Sequence, residues 1–205
     1  MRTSTYAVGS LGALSTLLRD GPVELHEGDD VVVVPTAAAF TGVTEASLRT
    51  SAVFDDFGVR VEALIVTDRA TTSDSYFTSR VLNADLVVLC DGSALHARAV
   101  WRANDFGDAI KMASTLVVVG EVVAAICEVM IDPRGGAPAP GLAFRNGAAL
   151  CVPSSDEQMR RTRSLLKDVV LVAIGPTGIV GHDGDRWSVL AGDVVVTRGH
   201  DVVEL

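Results

Sequence analysis

Aromatic side chains are scarce in this sequence, at 5% of 205 residues, and lysine is scarcer still, since 15 of the 17 basic residues are arginine. Acids outnumber bases to a formal charge of −9, and no basic run interleaves with aromatics, which argues against a nucleic-acid partner. No apolar run reaches the roughly 18 residues of a membrane span. Met1–Tyr6 lacks the long apolar core of a signal peptide, so a soluble, cytoplasmic protein without membrane contact is expected. The three cysteines, Cys90, Cys127 and Cys151, are odd in number and lie in apolar segments, which fits buried, reduced thiols better than a disulfide framework. The four histidines, His26, His96, His182 and His200, fall in separate regions without metal-ligand spacing. Neither a metal nor a cofactor is expected.

The sequence is rich in valine and alanine, and its apolar fraction is 48%. Parallel strands buried on both faces read as unbroken runs of this kind. The clearest are 31–34, 59–66, 86–90 and 116–119, with further runs at 148–152, 169–174 and 194–197. Between the early ones lie segments of helical length, 11–18, 44–57, 74–82 and 94–113, the last broken near Asn104. Strands alternating with helices predict βαβ units in one domain over residues 1–205, an α/β fold of three layers with a mostly parallel sheet. Runs 86–90 and 116–119 should be adjacent, parallel and buried. A ligand site in such a sheet belongs at the carboxyl ends of its strands. Residues 178–187 and 189–197 are shorter and alternate around Asp183-Gly184, a hairpin-turn pair, and predict a small antiparallel C-terminal extension. His182, just before that turn, reads as a solvated loop residue.

Several segments, taken in order, resemble the cyanophycinase and peptidase E family of serine peptidases. They are Val31–Ala38 with its Pro35-Thr36-Ala37 turn, Asp85–His96, Leu116–Gly141 with an Asp-Pro-Arg-Gly-Gly piece from Asp132, and Ile174–Val189. The resemblance implies a class I glutamine amidotransferase-like, flavodoxin-like fold. It also implies a serine on a sharp strand-to-helix turn, in a Gly-x-Ser-Ala-Gly setting. The matching run here is Gly120-Glu121-Val122-Val123-Ala124, which sets Val122 where the serine belongs. The stretch matching the family's histidine reads Val152-Pro153-Ser154-Ser155-Asp156, and its Ile-Asp-Glu segment has become Ile174-Gly175-Pro176. A carboxylate at Asp91, in the glycine turn Asp91-Gly92, would repel a developing oxyanion.

The resemblance therefore implies no catalytic residue and a degenerate pocket of Asp91, Gly92, Ser93, His96, Gly120, Glu121, Val122, Ser154 and Ser155. It implies a non-catalytic paralogue that senses a ligand or contacts proteins, as a homodimer or as a heteromer with an active paralogue. The alternatives are an enzyme of altered chemistry using Glu121, His96 or Asp91, and a serine peptidase with displaced residues. Each candidate also has a plain role. Ser155 opens a capping box with Gln158, His96 packs at a helix start, Asp132 and Arg134 order a glycine loop, and Cys127 faces the sheet from the following helix. The β-branched Val122 is expected at negative φ, with a smoother passage from strand to helix and a pocket narrowed by valine methyls.

Overall fold

The computed structural model describes residues 3–132, 137–153 and 155–205. In chain order its elements are β1 (Ser4–Val8), α1 (Leu11–Asp20), β2 (Asp30–Val34), α2 (Val43–Ser51), β3 (Arg60–Ala63), α3 (Ser75–Asn83) and β4 (Leu86–Leu89). There follow α4 (Ala94–Trp101), α5 (Asp105–Met112), β5 (Thr115–Val119), β6 (Val129–Ile131), β7 (Pro138–Pro140), β8 (Ala149–Cys151) and α6 (Asp156–Leu165). The chain closes with β9 (Val170–Ile174), β10 (Ile179–His182), β11 (Trp187–Ala191), β12 (Val194–Arg198) and β13 (Asp201–Val202).

Seven strands form the main sheet in the order β11-β10-β1-β5-β4-β2-β3. The five from β1 to β3 are parallel, and β10 and β11 extend the β1 edge antiparallel. Strands β4 and β5 are neighbours in parallel register, Val87 opposite Leu116 and Leu89 opposite Val118, as their unbroken apolar runs predict. The run of valines in β2 follows from the period-two geometry of a strand. Val31 and Val33 pack with Leu14, Leu17 and Phe54 on the α1 and α2 face, and Val32 and Val34 pack with Trp101, Phe106 and Ile110 on the α4 and α5 face. A polar residue at any of these positions would lose water on either side.

The helices begin where the sequence offers a side-chain acceptor for their free amides. Ser10, Asp74, Ser93, Asn104 and Ser155 each accept from an amide of the first turn. Asn104 is therefore the reason that the 94–113 segment is two helices. One buried polar bridge ties the layers together. The Thr36 hydroxyl donates to the Val66 carbonyl at 2.6 Å and accepts from Trp101 Nε1 at 3.2 Å.

The C-terminal third departs from expectation in two ways. Strand β11 belongs to the main sheet, but β12 leaves it and pairs with β9 in a second sheet of order β13-β12-β9-β8. Gly192 makes the parting possible, because at φ +75° it turns so tightly against the Thr177 carbonyl that a Cβ has no room. His182 is not solvated. It is buried at the end of β10, edge-on to Trp187 at 4.8 Å, and its Nδ1 accepts from the Gly184 amide at 3.1 Å. Burial, and then the positive charge of Arg145, push its pKa down. Among the described residues no helix is long and apolar enough to cross a membrane.

Thr36→Val should leave both the Trp101 indole N–H and the Val66 carbonyl buried without a partner. The expected cost is about 1–3 kcal/mol for each group, read as a fall in the urea midpoint at unchanged slope.

Candidate functional site

Strands covered on both faces leave their ends as the place where polar groups meet solvent. At the carboxyl ends of β1, β2, β4 and β5 the chain encloses a cavity of about 600 Å³. One wall is the start of α1, with Gly9, Ser10 and Gly12, and a second is the 38–50 segment, with Glu45, Arg49 and Thr50. A third side is made by Cys90, Asp91, Gly92, Val119 and Glu121. Arg49 and Glu45 form an exposed i,i+4 pair at 3.9 Å.

The centre of the site is a carboxylate held by two backbone amides. Asp91 Oδ1 accepts from the Gly92 amide at 2.7 Å and from the Glu121 amide at 2.8 Å, and so joins the turn after β4 to the turn after β5. Glycines set both turns. Gly92 has φ +143°, and a Cβ there would overlap the Ala37 carbonyl; Gly120 has φ +69°, and a Cβ there would overlap the Asp91 carboxyl group. Glu121 stands beside Asp91. Partial removal from water, and then the Asp91 charge, raise its pKa.

Of the residues singled out in the sequence, Asp91, Gly92 and Glu121 line this cavity, with Gly120 directly behind them. The other positions lie elsewhere. Ser93 caps α4, accepting from the His96 amide at 3.2 Å. His96 turns to the loop after β3, its Nε2 at 2.8 Å from the Thr67 carbonyl and its ring edge-on to Phe40. Ser155 caps α6 by accepting from the Gln158 amide at 3.2 Å. Ser154, Arg134, Gly135 and Gly136 lie outside the described residues.

The sharp turn after β5 stands two residues before Val122. Val122 is free of positive φ, as β-branching requires, but the sharp turn has not been smoothed away; it falls on Gly120, immediately after β5. Residues Gly120–Ile126 then run as a 3₁₀ segment in place of an α-helix, and Val122 and Val123 are wholly buried in the core. Their methyls therefore do not narrow the cavity. Cys127 ends that segment, not a helix, and burial pushes its thiol up to about 12. Cys90 and Cys151 are raised by burial likewise, to about 11 and about 12, so all three are free but poorly ionised. The residues that sequence reasoning missed, Ser10, Glu45, Arg49 and Thr50, come from the loop after β1 and from α2. The signal available for them was the strand-end rule alone.

No family model matches the chain, and no curated protein does. Solved structures do. A peptidase from an acI-B1 actinobacterium superimposes with TM-score 0.77 at 17% identity, over 100% of this chain and 94% of that one. A protein from Listeria monocytogenes EGD-e assigned to peptidase E superimposes with TM-score 0.67 at 12% identity, over 97% and 99%. The fold is that of peptidase E. At these identities the likeness is one of architecture, a peptidase E-like αβα fold with a mostly parallel sheet.

Two substitutions test the geometry. Gly120→Ala should lose about 1–3 kcal/mol to left-handed strain and more to overlap with Asp91. Asp91→Gly should relieve the second part, so a double-mutant cycle is expected to show a favourable coupling of about 1–3 kcal/mol. Glu121→Gln tests the electrostatics. A carboxyl raised above its unfolded value binds its proton more tightly when folded, so stability falls as pH rises from the ordinary carboxyl range through the folded pKa. The glutamine variant should therefore have the higher Tm at pH 7, and the difference should vanish in acid below that range.

Proposed function

We propose that this chain is a peptidase E-like protein without serine-peptidase activity, which acts by binding a ligand in the strand-end cavity or by contact with a partner. The observation that carries the reading is Gly120. A nucleophile elbow presents its side chain from the sharp turn after the strand. Here that turn is a glycine with no space for a Cβ beside Asp91. Val122, two residues on, is buried, and Ser155 is engaged as a helix cap. A partner role, as a dimer or with an active paralogue in the cytoplasm, is supported by β11. This outer strand of the main sheet is uncharged and leaves Val189 and Leu190 exposed.

A fluorophosphonate probe should leave the protein unlabelled, and a panel of Asp-containing dipeptides should be stable in its presence. Val122→Ser should change neither result, because position 122 lies in the core with no histidine beside the cavity to accept a proton. Stoichiometric labelling of any serine in the unmodified protein would end this reading. One observation favours a second reading, altered chemistry at the same place: Glu121 is a carboxyl of raised pKa on the cavity wall, suited to proton transfer. Turnover of a substrate that is lost in Glu121→Gln, without probe labelling, would select it.

A further inference from the structure

We propose that the amides of Gly92 and Glu121 form an anion cradle that Asp91 closes from within, and that a small-molecule carboxylate enters this side of the cavity by displacing it. The inference concerns the same site as the proposed function, but it rests on the turn at Gly120 and not on the absence of catalysis. Two backbone N–H groups from different strand ends converge on one oxygen, at 2.7 and 2.8 Å. Their aim depends on two glycines in the left-handed region, at positions where close packing forbids a side chain. Paired amides directed at one point are an arrangement for holding an oxyanion. The present occupant belongs to an exposed residue on the cavity wall. Asp91 therefore has solvent beside it into which to turn.

An intramolecular carboxylate competes at high effective concentration, so a dilute, featureless anion does not exchange with it. A successful ligand needs a further contact, and the cavity offers one in the Arg49 guanidinium. The Glu121 carboxylate on the same side as Asp91 sets the charge limit. It disfavours a phosphate dianion relative to a monocarboxylate.

The test is made on the full, ¹⁵N,¹³C-labelled chain. In the unmodified protein, through-hydrogen-bond spectra should connect the Gly92 and Glu121 amides to the side-chain carbon of Asp91. In Asp91→Ala, both amides should shift on addition of sodium acetate and saturate in the millimolar range, with inorganic phosphate weaker. Neither should move in the unmodified protein over the same concentrations. Asp91→Asn keeps an acceptor oxygen and should stay closed, and Asp91→Gly replaces the alanine variant if that does not fold. Missing Asp91 correlations in the unmodified protein would overturn the proposal. So would a folded alanine or glycine variant whose two amides ignore acetate, or one in which phosphate binds as well as acetate. None of these readings involves a catalytic step, so they fail or succeed independently of the probe experiment.

Discussion

A sheet covered on both faces admits polar side chains only at its rims. In this protein β2, β4 and β5 are almost wholly valine and leucine, and each of those apolar residues is sealed against one helical layer or the other. Burial of that apolar surface stabilises the fold at roughly 25 cal/mol for each Å² withdrawn from water. It also dictates where chemistry can occur. The carboxylates of Asp91 and Glu121, the cap at Ser10 and the α2 ion pair all gather where the strands end, because nowhere within the sheet could they stay hydrated or find partners.

The polar groups that are buried show the same constraint from the other side. Thr36 is tolerated because its hydroxyl has both a donor and an acceptor partner across the layers. Arg145 is held by the Thr5 hydroxyl and by the Lys111 and Phe144 carbonyls, without a carboxylate among the described residues, and burial lowers its pKa. Its charge adds to burial in pushing down the pKa of the neighbouring His182. These contacts fasten residues 144–146 and the β10–β11 hairpin to the first strand, since Trp187 Nε1 also donates to the Asn146 carbonyl at 3.0 Å.

Much of the architecture was legible in the sequence because local signals agreed with the global arrangement. Runs of valine marked the double-sided strands, the break near Asn104 divided the 94–113 segment, and the capping box at Ser155 marked the start of α6. What the sequence hid was long-range. Nothing local to 189–198 distinguishes a single strand pair at one edge from two strands in different sheets; the close approach of Gly192 to Thr177 decides it. His182 looked solvated because Trp187, which packs on it, and Arg145, which helps to lower its pKa, are across a turn or distant in sequence. In the site, Asp91, Gly92 and Glu121 were found through the family resemblance, which sets them in turns after strand runs. The sharp turn stands two residues before the matched position, since a sequence match weighs residue types, whereas a turn is located by φ. Only the geometry shows that the glycine matched as a flank stands at the turn itself.

The Gly120–Asp91 contact also constrains how this chain can change in evolutionary time. A side chain at 120 and the carboxyl at 91 compete for one volume. A serine acquired first at 120 would pass through a strained, clashing intermediate, whereas loss of the aspartate first opens the space at little steric cost. The two steps are thus ordered, and the first of them abandons the bond that now links the ends of β4 and β5. Any route to a side chain at 120 therefore passes through a chain that lacks the bridge between the ends of β4 and β5.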